Sequence, residues 1–273
     1  ILGDIRDGIM IDKLTKGQEI VFHLASLISI PYSYQAPQAY VDTNVHGALN
    51  VAQACLNHGV QKLIHTSTSE VYGSARYVPI DEKHPLQGQS PYSASKISAD
   101  MIVQSFYSAF ELPLTTLRPF NTYGPRQSLR AVIPTIISQM LARVPVIHLG
   151  DLMPTRDFNF VSDTVEAFMS IGRFKGSEVI GETFNAGSGR EISIGALVEI
   201  LKELTSYEGD VTTDDQRVRP KNSEVERLLC DAGKIERIVG WKSKVSLEDG
   251  LKETISWIKS RSEYLKTSQS YYR

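Results

Sequence analysis

The chain has 273 residues, 41% hydrophobic and 22% charged, with 29 Lys plus Arg against 31 Asp plus Glu for a net charge of -2. That balance is ordinary for a globular protein and gives no electrostatic footprint for nucleic acid or an anionic membrane. No stretch approaches the ~20 apolar residues of a membrane span, and two cysteines, Cys55 and Cys230, can build neither a disulfide framework nor a four-ligand zinc site, so a reducing cytoplasm is the expected compartment.

Residues 19–25 form a nearly continuous apolar run, as in a parallel strand covered on both faces. A helix is expected over 37–58, where Val41, Val45, Ala48, Ala52 and Cys55 make one apolar stripe and Gly59 supplies the C-cap. Residues 62–67 read as the next strand and 73–90 as a loop. Ser90-Pro91 then opens a helix carrying Ile97, Met101 and Phe106, which fades near Glu111. A third strand covers 114–118. Strand and helix alternating in this way imply right-handed βαβ units and a parallel sheet. Ligands bind outside the carboxyl ends of such strands, at Ala25-Ser26, at 67–73 and at 119–126.

After about Gly124 the rhythm changes. A helix is expected at 132–142, strands at 146–149 and 157–161, helix caps at Ser162-Asp163, Ser193 and Ser246, and a last helix over 247–262. Residues 264–273 read as a frayed polar tail. We expect 1–124 to form a partial nucleotide-binding domain and 125–273 a smaller substrate domain interleaved with it. The fold class is α/β, a doubly wound parallel sheet. Trp241 and Trp257 read as packing residues and Cys55 as an inert core thiol. The six scattered histidines show no ligand spacing, so no metal is expected.

Tyr92-Ser-Ala-Ser-Lys96 places a phenol and an ammonium on one helix face. An adjacent ammonium favours phenolate and makes a better base at neutral pH. The pair alone is unspecific, because one such spacing is about what chance supplies. Its context adds weight: Thr66-Ser67-Thr68-Ser69-Glu70-Val71-Tyr72-Gly73 lies just after a strand, bringing hydroxyls and a carboxylate to the end where ligands bind.

Four features in order resemble the extended short-chain dehydrogenase/reductases: strand-Leu24-Ala25, Thr68-Ser69-Glu70-Val71-Tyr72-Gly73, Tyr92-x-x-x-Lys96, and Arg118-Pro119-Phe120-Asn121-x-x-Gly124-Pro125-Arg126. The resemblance implies a Rossmann domain holding NAD and a nucleotide-sugar substrate. The Thr68-Ser69-Glu70 triplet, with residues 118–135, 154–161 and 219–225, looks most like 4,6-dehydratases acting on UDP- or GDP-N-acetylglucosamine in pathways of the legionaminic-acid type. By that resemblance Tyr92, tuned by Lys96, takes the C4 hydroxyl proton as hydride leaves for NAD. Glu70 removes the C5 proton, water leaves C6, and the hydride returns there. Thr68 holds the C4 hydroxyl. Ser69 stands where related enzymes carry an acid, which leaves Glu70 or a water as the proton donor.

The resemblance also implies that Asp4 and Ile5 contact adenine, that Leu24, Ala25 and Ser26 line the NAD path, and that Tyr92, Lys96 and Pro119 lie near the nicotinamide ribose and ring. Asn121, Arg126, Arg156 and Arg219 would hold the sugar diphosphate, since guanidinium forks match phosphate geometry. A homodimer through the Tyr92 helix and the preceding apolar stripe is implied as well. The chain opens Ile1-Leu2-Gly3-Asp4, and no Gly-x-x-Gly-x-x-Gly fingerprint or ribose-binding acid precedes it. The expectation is therefore that a first βαβ unit lies outside this chain, which by itself would bind NAD poorly and expose a sheet edge. Alternatives are a UDP-glucuronate decarboxylase, a 4-epimerase disfavoured by Glu70, or a remnant without turnover.

Overall fold

A computed structural model describes residues 1–214 and 220–261. In chain order the first part runs α1 (Gly8–Thr15), β1 (Ile20–His23), α2 (Ile30–Gln35), α3 (Pro37–Tyr40), α4 (Gly47–His58), β2 (Lys62–Thr66), α5 (Pro91–Phe110) and β3 (Leu114–Pro119). The rest runs β4 (Asn121–Tyr123), α6 (Val132–Leu141), β5 (Val146–Leu149), β6 (Thr155–Phe160), α7 (Val161–Arg173), β7 (Thr183–Ala186), β8 (Glu191–Ser193), α8 (Ile194–Thr205), β9 (Asp210–Thr213), α9 (Gly233–Val239) and α10 (Leu247–Lys259).

The parallel strands β1-β2-β3-β7 form the main sheet in that order. Pairing of His23 with His65, Thr66 with Leu117 and Pro119 with Ala186 brings the carboxyl ends of all four strands to one edge. β3 is buried along nearly its whole length, whereas β1, read as an apolar run covered on both faces, goes from exposed Ile20 through half-buried Val21 and Phe22 to buried His23, because it lies at the edge of this sheet. Two smaller sheets follow: β4-β6-β8, with β6 and β8 antiparallel, and the parallel pair β5-β9. One apolar core is drawn entirely from Tyr123 to Ile258. Another joins Ile64 and Leu117 to Phe168, Phe184 and Trp241, so the second half of the chain also covers the main sheet.

Local details depart from the periodicity in instructive ways. Between α3 and α4 the chain makes a wider π turn at Val41–His46. Such a turn inserts a residue into the helical repeat and rotates everything before it. Val41 is therefore turned outward, 41% exposed, while Asn44 is buried. On α5 Met101 is also exposed, and the buried face is Tyr92, Lys96, Ala99, Val103 and Phe106. Ser90 caps α5 in a reciprocal box with Ser93, and Pro91 occupies the first turn.

Ser193 and Ser246 cap α8 and α10 as expected. Ser162-Asp163 does not cap α7, which starts one residue earlier after Phe160. Asp163 instead points its carboxylate at a later loop, accepting from Ser243 Oγ at 3.0 Å and from the Lys244 and Val245 amides at 2.9 Å. Cys55 is buried and its thiol is pushed up to about 12 by that burial, which fits an inert core residue. Trp241 is buried and donates to the Asp163 carbonyl. Among the described residues no helix is long and apolar enough to cross a membrane.

Candidate active site

The sheet edge brings Tyr92, Lys96, Thr68 and Glu70 together. After β2 the chain makes a tight helical turn at Ser69–Tyr72, and Thr68 caps it by accepting from the Glu70 amide at 3.2 Å. Gly73 ends the turn at φ 63°, where an added Cβ would stand 2.6 Å from Gln89 Oε1. Only glycine tolerates both the conformation and the approach. Gln87 closes the turn, donating from Nε2 to the Tyr72 carbonyl at 2.8 Å. Ser69 and Glu70 are buried. The Glu70 carboxylate carries no hydrogen bond among the described residues and acts on Tyr92 as a neighbouring negative charge.

Tyr92 is buried at the start of α5 and packs edge-on against Tyr40, with ring centroids 6.2 Å apart. Its hydroxyl hydrogen-bonds the Thr68 side chain. Lys96, one turn on, donates from Nζ to the Thr66 carbonyl at 2.6 Å. Burial dominates the electrostatics of both groups. It pushes the Tyr92 phenol well above the ordinary tyrosine range, the Thr68 hydrogen bond opposing and the Glu70 and Asp100 charges reinforcing the shift. It also pulls Lys96 down to about 8, with Asp100 opposing. The sequence pattern anticipates a phenol lowered by Lys96. In this structure desolvation outweighs that attraction, because neither group is hydrated.

Below this pair lies a buried polar network that spacing did not reveal. Asp100, on α5 four residues after Lys96, accepts from His65 Nε2 at 3.2 Å, Ser67 Oγ at 2.7 Å and Arg118 Nη2 at 3.0 Å. Burial pushes the Asp100 carboxyl up, but His65, Arg118 and Lys96 more than offset it and hold it below the usual carboxylate range. His65 Nδ1 faces His23 Nδ1 at 3.0 Å. With His65 Nε2 donating to a carboxylate, His65 Nδ1 is the acceptor and His23 donates. Arg118 also donates to Tyr72 Oη at 3.0 Å, which donates to Asn185 at 2.7 Å. The available signal was a charged residue on the buried stripe of α5, one turn beyond Lys96.

The remaining candidates are dispersed. Leu24 and Ala25 are exposed and Ser26 half-buried beyond β1, and Pro119 closes β3. Thr66 Oγ1 and Asn121 Oδ1, at neighbouring strand ends, are buried acceptors without a hydrogen-bond partner among the described residues. Asp4 is exposed, is ion-paired to Arg6, and helps line a surface cavity of about 470 Å³ with Asp42 and His46. Ile5 packs against α4, and Asn50 holds its carbonyl at 3.0 Å.

Arg126 is exposed in a turn where its backbone adopts φ 70°, a left-handed conformation uncommon outside glycine. Arg156 was expected to grip a diphosphate; its guanidinium is buried and paired with Glu224 at 2.9 Å. Arg219 lies outside the described residues. Among the described residues no group of three His, Cys, Asp or Glu could hold a metal ion.

Comparison with known proteins supplies the context. The family model for GDP-mannose 4,6 dehydratase matches residues 1–254. A putative UDP-glucose 4-epimerase of Methanocaldococcus jannaschii is 32% identical over 262 residues, covering 94% of this chain and 83% of the relative. The dTDP-D-glucose 4,6-dehydratase of Homo sapiens is 32% identical over 272 residues, covering 94% of this chain and 74% of the relative. The structure of a double mutant of DesIV, a dTDP-glucose 4,6-dehydratase from Streptomyces venezuelae crystallised with NAD, superposes with a TM-score of 0.87 at 28% identity, covering 97% of this chain and 81% of that chain. Together with the Tyr92–Lys96 pair at the carboxyl edge of a parallel sheet, these matches establish that the chain belongs to the NAD-dependent epimerase/dehydratases of nucleotide sugars, within the extended short-chain dehydrogenase/reductase family.

Proposed function

We propose that this protein is a nucleotide-sugar 4,6-dehydratase acting on UDP- or GDP-N-acetylglucosamine. The observation that carries the dehydratase reading is Glu70. A buried carboxylate without a hydrogen-bond partner among the described residues, beside Tyr92 and Thr68, is equipped to take a proton from carbon. An epimerase needs no second base there.

The residues fit NAD: the orphaned Thr66 Oγ1 sits at the strand end beside Lys96 and accepts a ligand donor. When bound, NAD supplies the hydride acceptor for C4 and the hydride donor for C6. Tyr92 takes the C4 hydroxyl proton in its phenolate form, which its burial disfavours in the unliganded protein and which the positive charge of a bound oxidised nicotinamide would favour together with Lys96; Thr68 holds that oxygen. Lys96 stabilises the phenolate electrostatically. The C4 ketone acidifies C5, and Glu70 removes the C5 proton as electrons form the C5–C6 double bond. Glu70 then gives this proton to the departing C6 hydroxyl, so water leaves and the carboxylate is regenerated; when hydride is returned to C6, C5 of the resulting enolate takes a proton from water and Tyr92 releases the C4 proton to solvent, so the proton count closes. Ser69 is a poor acid, and this double role of Glu70 makes a second acid unnecessary. Asn121 and Arg126 serve as sugar and diphosphate contacts. Arg156 does so while paired with Glu224, and Arg219 from outside the described residues. Asp4, Ile5, Leu24, Ala25, Ser26 and Pro119 form the dinucleotide path. We assign residues 1–124 to the cofactor side and 125–273 mainly to the substrate side, with two copies pairing through α4 and α5.

A second reading, 4-epimerisation, is supported by the epimerase among the relatives. Product mass separates the two when the protein is incubated with UDP-GlcNAc, GDP-GlcNAc, UDP-glucose and UDP-glucuronate in turn. Loss of one water from a GlcNAc substrate supports the proposal. Loss of carbon dioxide from the glucuronate moves it to decarboxylation. An isobaric product with inverted C4 moves it to epimerisation. Glu70→Gln tests the mechanism within the first outcome: C4 oxidation should persist while water loss stops.

A further inference from the structure

We infer that Asp100 is a positioning residue for this chemistry, a buried anion that locks the helix carrying Tyr92 and Lys96 onto the ends of β2 and β3 and faces Lys96 from one turn away. The inference rests on the dehydratase reading for its kinetic expectations but not for its geometry.

The geometry is specific. Asp100 is 3% exposed and receives donors from two different strands and the turn after one of them. His65 precedes Thr66, whose carbonyl receives Lys96 Nζ, and Ser67 precedes Thr68, which bonds Tyr92. One carboxylate therefore anchors both neighbours of the working pair. A buried ion pair is a poor device for stability alone, because desolvating two charges costs about as much as their attraction returns. Here the carboxylate has two cations to serve, Arg118 by direct contact and Lys96 through space.

Other charged groups surround them without replacing that role. His65 and the His23 behind it are both driven toward the neutral form by burial. Glu70 and Tyr92 lie toward the substrate side, and Tyr72 is bonded to Arg118. Asp100 and Arg118 also line a cavity of about 330 Å³ with Glu82, Lys83, Glu182 and Lys234. Lys234 is paired with Glu182, and Glu82 accepts from the Asn185 amide.

The test is Asp100→Asn, which keeps the size, removes the charge and turns one of the two accepting oxygens into a donor. Two readouts are needed: the Lys96 titration midpoint by lysine side-chain NMR, and the pH profile of kcat and KM. We expect the midpoint to fall by about one pH unit, since an opposite charge nearby shifts a group by roughly that much or more. We expect kcat to drop about tenfold with KM changed less than about twofold, because loss of alignment and charge acts on the reaction step rather than on binding. An unmoved midpoint with unchanged kcat overturns the proposal.

If D100N does not fold, Ser67→Ala removes one ligand of the same carboxylate and keeps the Arg118 pair. It should lower kcat several-fold without moving the midpoint, and wild-type kcat in that variant also overturns the proposal. If the unaltered protein dehydrates no nucleotide sugar, the dehydratase reading fails by itself, and the NMR midpoint still decides the role of Asp100.

Discussion

Lys96 Nζ is held 2.6 Å from the carbonyl oxygen of Thr66, so the ammonium on α5 is fastened to the carboxyl end of β2. This contact, more than the four-residue spacing to Tyr92, fixes where the positive charge sits. It also places that charge where burial works against it.

The first prediction follows from that burial. Lys96 is pulled down to about 8, so it is mostly charged at pH 7 and loses its proton as the pH rises through 8. Turnover should fall with a single ionisation above about pH 8, by about tenfold per unit at the limit. A kcat profile flat to pH 10 would refute the assignment.

The same shift carries a stability consequence. A lysine whose folded-state pKa lies below its unfolded value of 10.5 favours unfolding wherever the unfolded chain binds the extra proton, so its cost is fully present below pH 8 and fades toward pH 10.5. Lys96→Met should therefore abolish turnover yet raise stability at pH 7 by about 1–2 kcal/mol, after allowance for the lost hydrogen bond. Denaturant melts at pH 7 check this, and a clear loss of stability would contradict it.

Tyr92→Phe removes the proton acceptor while keeping the ring against Tyr40. Turnover should fall by about 10²–10⁴, with stability changed by less than about 1 kcal/mol. Nucleotide-sugar binding, measured by calorimetry, should persist.

Asn121 offers a buried oxygen without a partner among the described residues, so its removal breaks no hydrogen bond to that oxygen there. Asn121→Ala should raise the KM for the nucleotide sugar about tenfold, the worth of one polar contact to a charged group. Thermal stability should be nearly unaffected, and an unchanged KM would remove Asn121 from the site.

Asp163 shows where stability resides away from the chemistry. Its carboxylate gathers the Ser243 hydroxyl and the amides of Lys244 and Val245, fixing the loop that leads to α10. Asp163→Ala leaves those donors unsatisfied and should cost about 2–4 kcal/mol, read as a lowered denaturation midpoint.

Much of this molecule was legible in its sequence because the signals are local. The Ser90-Pro91 helix start and the Gly59 helix end follow from chain stereochemistry and period alone. The alternation of strand and helix dictated the parallel sheet, and the sheet dictated which loops could carry chemistry. That basis points to the segment holding Thr68, Ser69 and Glu70 and to the helix holding Tyr92 and Lys96 as candidates, while the roles proposed for them rest on the family resemblance. Tertiary structure decided what the pattern could not contain. The π turn after Tyr40 moved Val41 out of its stripe, because a single widened turn leaves no mark on composition. The pairing of Arg156 with Glu224 joins residues far apart in the chain. The convergence of His65, Ser67 and Arg118 on Asp100 is likewise long-range. Burial, which sets the protonation of Tyr92 and Lys96, depends on everything packed around them, and only the folded chain supplies that environment.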